Sequence, residues 1–357
     1  MRICIDGRGL QGNRTGAGKT LDHLLRRLRA DFPRHEYLLC APADSIASRL
    51  PRQLLWEQVL FPLRALHLGA DVLHVPCGTS APILGGGVKV VMTINDLAPT
   101  RHPELLPGAR SRWYWGRWVP LTARRAHAIL VPSVATRRDL VDLAGIPNAR
   151  VHVIPWAVPL DLDGTAHLAE QASVRTIYGL PDVYVLYVGT IDRRKDYPTL
   201  LRALERLNPA ISLAVAGTVI AGRTDFHETV RRLGLERRVK VLGYVPDDDL
   251  PALYRDAAVF VYPSFYEGFG LPVLEAMACG TPVVTYRTTS LPEVAGAAAC
   301  LLDPPVTPEA LAAEIRAVIE NPGLRRDLRA RGLAQARRFD WRTTARLTMD
   351  VYESVCR

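Results

Sequence analysis

Lysine is scarce in this chain: Lys19, Lys89, Lys195 and Lys240 are the only four among 45 basic residues, so a lysine inside a motif stands out. No apolar run approaches the ~18 uncharged residues of a membrane-spanning helix, which excludes an integral membrane protein of that kind. The start, Met-Arg-Ile-Cys-Ile-Asp, has no hydrophobic leader and no small-residue cleavage site, and the expectation is a cytoplasmic protein. The six cysteines (Cys4, Cys40, Cys77, Cys279, Cys300, Cys356) form no C-x-x-C pair and show no metal-ligand spacing. We expect them to be reduced core residues, and we expect no metal site. No nucleic-acid-binding module accompanies the net charge of +9.

What is present is length and repetition. A chain of 357 residues with 48% apolar composition is long enough for two domains. Val-, Ile- and Leu-rich runs with little alternation predict buried parallel strands at 2–6, 37–41, 71–75, 88–95, 127–132 and 150–155. A second set follows at 183–189, 211–216, 238–243, 257–262, 281–286 and 299–302. Stretches with helical spacing separate them, so the fold class is α/β, with the βα unit repeated in two Rossmann-like halves. The polar, arrhythmic segment 159–170 is the linker candidate, and the expected domains are 1–165 and 166–339. The last segment, from Asp340, sets Trp341, Ala345, Thr348 and Tyr352 on one helical face.

The densest motif is Tyr262-Pro-Ser-Phe-Tyr-Glu267-Gly268-Phe269-Gly270-Leu271-Pro-Val-Leu-Glu275. It reads as a strand, a glycine loop and a helix start, and helix N-termini with glycines let an anion approach free N–H groups. Glu267 precedes the loop and Glu275 lies about two turns into the helix at ~3.6 residues per turn, so both can face a phosphate held between them. One carboxylate would grip sugar hydroxyls and the other a ribose. The alternative makes Glu267 a cap and Glu275 a solvated surface residue. A second cluster, Gly189-Thr190-Ile-Asp-Arg193-Arg194-Lys195, places three cations where a strand runs out. Positive charge there opposes the helix dipole and calls for a compensating anion.

The Glu267–Glu275 stretch resembles the Glu-x7-Glu signature of glycosyltransferase family 4, retaining enzymes of the GT-B fold, and the resemblance runs through nearly the whole chain. It implies two facing domains with parallel sheets and an interdomain cleft, and a helix 340–357 that crosses back to the first domain. Lys195, with Arg194, corresponds to the pair that balances the diphosphate leaving group. Gly243, Tyr244 and Val245 resemble the loop that reads the nucleotide base, and Ser290-Leu-Pro-Glu293 the turn beside the donor pocket. Gly16 and Gly18, in Asn13-Arg-Thr-Gly-Ala-Gly, resemble the glycine-rich loop of the first domain. Leu55-Trp56-Glu57-Gln58, Asp71-Val-Leu-His74 and Val131-Pro-Ser133 resemble an acceptor-side scaffold. Two positions depart from the pattern. Thr190 stands where many members carry Arg, and Asn95, in Thr93-Ile-Asn-Asp96-Leu-Ala-Pro, replaces a His. Asn cannot titrate, which leaves Asp96 as the nearest group to orient an acceptor hydroxyl. In the front-face reaction invoked for this family the departing phosphate takes the acceptor proton, so no protein base is required.

The implied activity is transfer of a hexose from a nucleoside-diphosphate sugar, with GDP-mannose favoured, to a small-molecule, glycan or lipid-linked acceptor, without metal or added cofactor. Asn95 and Thr190 support an alternative, a catalytically degenerate sugar-nucleotide-binding protein. A P-loop NTPase rests only on Gly18-Lys19-Thr20, whose spacing from Gly12 is one residue off. Gly7-Arg8-Gly9-Leu-Gln-Gly12 fits the dinucleotide fingerprint literally but opens no helix at that point. The segment 49–138 holds 12 basic and 4 acidic residues and four of the six tryptophans, Trp56, Trp113, Trp115 and Trp118. Peripheral contact with an anionic membrane at its inner face is one reading of that mixture; buried indoles with solvated arginines is the other.

Overall fold

The computed structural model describes residues 1–11, 16–42, 50–83, 86–106, 108–158, 171–219 and 224–357. The expected linker 159–170, the 165/166 boundary and residues 12–15 of the glycine-rich loop lie outside the described residues. The chain divides into two compact units, Met1–Ala157 with Asp340–Arg357, and Val158–Phe339.

Each unit is built on a six-stranded, all-parallel sheet. In the first, β1 (Arg2–Asp6), β2 (Glu36–Cys40), β3 (Val72–Val75), β4 (Lys89–Thr93), β5 (Ala128–Val131) and β6 (Val151–Val153) run in the order β2-β1-β3-β4-β5-β6. In the second, β7 (Tyr184–Val188), β8 (Ser212–Ala216), β9 (Val239–Gly243), β10 (Val259–Tyr262), β11 (Val283–Tyr286) and β12 (Cys300–Leu302) take the order β12-β11-β10-β7-β8-β9. All twelve fall within or beside the predicted apolar runs. The runs are apolar at successive positions because both faces of each sheet are covered. In the first unit Cys4, Leu73, Met92 and Ile129 pack on one side with Trp56, Phe61, Tyr114 and Leu140. Ile3, Ile5, Val91 and Leu130 pack on the other, against Leu21, Leu25 and Leu28 of the helix Gly16–Asp31 and Ala345, Met349 and Tyr352 of the helix Trp341–Cys356.

Both strand orders reverse direction once. From β1 the chain goes outward to β2 and then returns to β3 on the other side; in the second unit β7 leads to β8 and β9, and β10 starts on its opposite flank. Loops at the carboxyl ends of the two strands flanking such a reversal diverge and leave a crevice, which is where ligands of these sheets bind. The two crevices lie beside β1/β3 and β7/β10.

Two further features were not predicted. Residues 50–67 and 108–123 are helical but each passes through a π-helical turn, Trp56–Leu60 and Tyr114–Trp118. The cysteines also differ from expectation: Cys4, Cys40 and Cys279 are buried, Cys77 and Cys300 are partly buried, and Cys356 is exposed because it ends the last helix. The tryptophans divide likewise, Trp56 being buried and Trp113 44% exposed.

Candidate functional site

The second unit's reversal point brings together the two motifs that stood 72 residues apart in sequence. After β7, the peptide of Gly189 (φ +134°) is held by its N–H donating to the Ala216 carbonyl at 2.9 Å. Gly217 lies so close that a Cβ there would sit 2.1 Å from the Gly189 oxygen, so a side chain at 217 would displace this turn. Asp192 then caps the short 3-10 turn Arg193–Lys195 by accepting from the Arg194 N–H at 2.8 Å. That turn carries the Lys195 side chain inward, where only 5% of the residue is exposed.

Lys195 Nζ donates to a Glu267 carboxylate oxygen and, at 2.6 Å, to the Tyr262 hydroxyl at the end of β10. It also lies 4.5 Å from the centre of the Tyr262 ring. Burial alone would push the Glu267 carboxyl up; the positive charges of Lys195 and Arg194, with hydrogen bonds from Lys195 and Ser264, bring it below the ordinary glutamate value. Glu267 is therefore ionised at neutral pH and acts only as an acceptor. Burial, and next the Glu267 charge, push the Tyr262 phenol well up, so it stays protonated.

Hydroxyl side chains fix the loop around Glu267, and of these the sequence singled out only Ser290, in the turn beside the donor pocket. Ser264 Oγ donates to Glu267 Oε1 at 2.6 Å, the Glu267 N–H donates to Thr289 Oγ1 at 2.9 Å, and Ser290 Oγ donates to the carbonyls of Glu267 and Phe269 at 3.0 and 2.9 Å. Thr288 Oγ1 donates to the Ser264 carbonyl at 2.7 Å. Gly268 and Phe269 are buried in this loop. Gly270 (φ +102°) precedes the helix Leu271–Ala278, whose first N–H groups point back at the loop. Glu275 on that helix accepts from the Tyr254 hydroxyl at 2.9 Å, which orients the carboxylate from below. At the end of β9, Gly243 (φ +69°) turns the chain, Val245 is buried and Tyr244 stands 70% exposed.

The second unit therefore places Thr190, Arg194, Lys195 and Glu267 beyond the carboxyl ends of β7 and β10, with Glu275 on the helix that follows the Glu267 loop. The remaining sequence candidates belong to the first unit. Gly16 opens the helix Gly16–Asp31 and Gly18 is buried within it. Lys19 lies inside the same helix, and the Thr20 hydroxyl donates to the Gly16 carbonyl at 2.8 Å. Beyond β4, Asp96 Oδ1 accepts from the Ala98 N–H at 2.9 Å, and Asn95 Oδ1 is buried with no partner.

The first unit's reversal point holds a buried charged network that sequence reasoning missed. Asp6, at the end of β1, accepts three bonds from the Arg8 guanidinium, the shortest 2.6 Å, and Arg8 Nη1 donates to Glu57 Oε1 at 3.0 Å. Glu57, 1% exposed, also accepts from the Tyr114 hydroxyl at 2.6 Å and from Ser80. The two π-helical turns therefore meet through Glu57 and Tyr114. Burial would lower the Arg8 pKa, but the Asp6 and Glu57 carboxylates raise it above the ordinary value. Arg8 Nη2 reaches Thr79 Oγ1 at 3.1 Å, across the β1/β3 crevice. The sequence had named Gly7-Arg8-Gly9 at a strand end and Glu57 in an acceptor-side stretch, but not their pairing.

Two family models match the chain, Glycosyl transferases group 1 over residues 175–335 and Glycosyltransferase Family 4 over residues 14–162. Over 271 residues the chain is 36% identical to O-antigen chain mannosyltransferase B of Escherichia coli, covering 74% of this chain and 70% of that protein. The chain belongs to the family 4 glycosyltransferases. It is also 33% identical over 276 residues to the serotype-specific mannosyltransferase WbdA of Escherichia coli, 73% of this chain but only 33% of that protein's length. Among solved structures it is similar to Anabaena Alr3699/HepE in complex with UDP-glucose, with a TM-score of 0.78, 21% identity and 99% of each chain covered. Sucrose-phosphate synthase from Thermosynechococcus elongatus gives 0.77 and 22%, covering 99% of this chain and 98% of that one. At those identities the likeness concerns the fold, which is GT-B. The protein is a mannosyltransferase-like glycosyltransferase, and no described helix is long and apolar enough to cross a membrane.

Proposed function

We propose that this transferase moves a hexose, with retention, from a nucleoside-diphosphate sugar to an acceptor hydroxyl, and that GDP-mannose is its donor. The carrying observation is the buried Lys195–Glu267 pair at the β7/β10 reversal point. In this reading the nucleotide lies over the ends of β7 to β10, its base beside Gly243, Tyr244 and Val245 and its ribose on Glu275. The diphosphate meets Gly189, Thr190, Arg194, Lys195 and the N–H groups after Gly268, Phe269, Gly270 and Leu271. Ionised Glu267 accepts from hydroxyls of the sugar.

As the bond from the anomeric carbon to the phosphate oxygen breaks, negative charge grows on the diphosphate. Arg194 and Lys195 are already in place to balance it, without reorganisation at the moment of reaction. The acceptor oxygen bonds to the same face of the anomeric carbon and its proton passes to the departing phosphate. Asn95 and Asp96 orient the acceptor, and no protein base, bound metal or further cofactor takes part. The mannosyltransferase relatives support mannose; the UDP-glucose of the Anabaena structure is that protein's ligand.

Asn95 and Thr190 favour a second reading, a sugar-nucleotide-binding protein without transfer. Release of nucleoside diphosphate across a panel of GDP- and UDP-sugars with mannoside acceptors separates the two: tight binding with no release in any combination sinks the first.

We also infer a peripheral association of the first unit with an anionic bilayer. In the helical stretches 50–67 and 108–123 the outward residues include Leu55, Val59, Leu63, Leu66, Trp113 and Leu121 together with Arg52, Arg64, Arg110, Arg112 and Arg117. The only acid there, Glu57, is buried. Exposed leucines at helical spacing beside exposed arginines suit anionic lipid and disfavour a second, equally positive copy of the same surface.

A further inference from the structure

Four helical arginines of this chain meet a carboxylate four positions away: Arg26 pairs with Asp22, Arg27 with Asp31, Arg331 with Asp327 and Arg346 with Asp350. The helix that carries Arg331, Pro322–Ala336, breaks this pattern one turn earlier. Arg325 and Arg326 stand four and three positions before Arg329, a spacing that sets like charges side by side and destabilises a helix. None of the three forms an ion pair with a described residue; Arg329 Nη1 donates to the Gly280 carbonyl at 3.3 Å, which leaves its other N–H groups available. All three line one cavity of about 410 Å³ in the second unit, together with Arg255 from the helix Leu250–Asp256.

We propose that this cavity binds the phosphate group of a small phosphorylated molecule, with Arg325, Arg326 and Arg329 as its phosphate ligands. The site is separate from the donor crevice. Its wall includes Val183, Ala258 and Pro282, the residues that immediately precede β7, β10 and β11, so it lies at the amino ends of those strands. Lys195 and Glu267 lie beyond the carboxyl ends, four or five residues away along β10 and β7, about 13–17 Å at ~3.3 Å per residue.

Charge decides the class of ligand. The two carboxylates in the wall, Asp182 and Asp256, are both engaged by Arg175, which donates to them at 3.0 and 2.5 Å. With Arg175 counted, five guanidinium groups face two carboxylates, an excess of three positive charges (5 − 2) around a concave surface. A cleft of one sign concentrates its potential inward, and a phosphate monoester, at about −1.5 to −2 charge, answers it better than a single carboxylate does. Guanidinium forks also match phosphate oxygens two at a time. The remaining wall is apolar, with Val183, Pro282 and Ile319, and the volume falls in the range of about 300–1,000 Å³ typical of small-molecule sites. That is more room than inorganic phosphate fills, so the ligand has an organic body. A duplex or a bilayer would instead meet an open basic face.

Calorimetric titration of the full chain with inorganic phosphate, glycerol 3-phosphate and glucose 6-phosphate, in saturating GDP to occupy the donor crevice, tests this. The wild type should bind at least one of the two esters at a single site, and more tightly than inorganic phosphate. Arg325→Gln with Arg326→Gln should weaken that binding by about tenfold or more, as expected for the loss of charge-assisted bonds. Both arginines are exposed, so the fold should survive, and circular dichroism of the same sample checks it. Arg342→Gln with Arg346→Gln removes the same charge from another helix and should leave the affinity unchanged. Absence of binding by both esters, inorganic phosphate binding as tightly as either, or equal affinities in the two double variants overturns the proposal.

Discussion

Lys195 and Glu267 form an ion pair from the ends of two neighbouring strands, β7 and β10, with both side chains nearly enclosed. A buried pair contributes less to stability than it costs to break, because removing one partner leaves the other charged group without compensation. It has a different consequence for a transferase. In the proposed reaction the cation that meets the leaving group is already desolvated and fixed in position before the donor arrives, and the carboxylate that holds it is the one proposed to meet the sugar.

Lys195→Ala should therefore lower kcat/KM by about two orders of magnitude, equivalent to ~3 kcal/mol of transition-state stabilisation. Arg194→Ala should cost less, since Arg194 is shared with Asp192 at 3.4 Å and is more exposed. Wild-type kcat/KM in Lys195→Ala at saturating acceptor would remove Lys195 from the reaction.

The same pair predicts an acid response. The folded pKa of Glu267 is depressed below its ordinary value of 4.5, so its contribution to stability is present above that value and is lost as the pH falls through the lower, folded value. In Lys195→Ala the largest opposing charge is gone and burial dominates, so the loss should begin at higher pH. Circular dichroism followed from pH 7 to 2 should place the acid transition of the variant above that of the wild type. A coincident transition would mean the pair does not govern it.

Glu267→Ala should depress turnover far more than affinity for GDP, because the contacts proposed for it are to the sugar, and Glu275→Ala should do the reverse. Tyr254 extends this: its hydroxyl donates to Glu275 from a fully buried position. Tyr254→Phe should weaken GDP binding by ~1 kcal/mol, the worth of one orienting hydrogen bond. Calorimetric titration of the three variants checks the assignment, and equal losses in Glu267→Ala and Glu275→Ala would contradict it.

The strands, the two halves and the positions of Glu267, Lys195 and Gly270 were all accessible from the sequence because they are local signals: apolar runs of strand length, glycines where a helix starts, cations where a strand ends. What escaped was pairing at long range. Tyr262 and Tyr254 look like ordinary apolar positions until Lys195 and Glu275 are seen against their hydroxyls, partners 67 and 21 residues away. Thr288 and Thr289 look like a polar turn next to Ser290, which the resemblance already placed beside the donor pocket, yet all three carry the bonds that hold the Glu267 loop. Gly217 gave no motif, and its need for hydrogen in place of a side chain comes only from the closeness of Gly189. In Gly7-Arg8-Gly9 the glycines drew notice toward a dinucleotide, while the arginine, paired with a glutamate 49 residues on, was the informative residue.

That arginine network supports a stability prediction. Glu57→Ala leaves Tyr114, Ser80 and one side of Arg8 without their acceptor in a buried setting and should cost about 3–5 kcal/mol. Glu57→Gln keeps the shape and should cost less, about 1–3 kcal/mol. Urea unfolding followed by tryptophan fluorescence is suitable because Trp56 adjoins Glu57 and its indole N–H donates to Asp6 at 3.3 Å. An unchanged midpoint for Glu57→Ala would show that the first unit does not depend on the network.

The membrane proposal makes two separable claims, one electrostatic and one apolar. If the arginines of 50–67 and 108–123 meet anionic lipid, binding to phosphatidylglycerol vesicles should be appreciable at low salt. It should fade as the Debye length shortens from ~30 Å at 0.01 M to ~8 Å at 0.15 M. Replacing Arg110, Arg112 and Arg117 by Ser should weaken it without unfolding the protein, since all three are exposed. The leucines act differently. Leu63, 57% exposed, and Leu55 flank the π-helical turn, and each inserted leucine would contribute about 1.5–3 kcal/mol with little dependence on salt. Leu55→Ser with Leu63→Ser should therefore abolish whatever binding survives at 0.15 M salt while leaving the slope of the salt dependence intact. Vesicle co-sedimentation of the wild type and the two variants decides between outcomes. No binding by the wild type even at 0.01 M would assign the exposed leucines and arginines to a soluble setting and point to an acceptor that is not anchored in lipid.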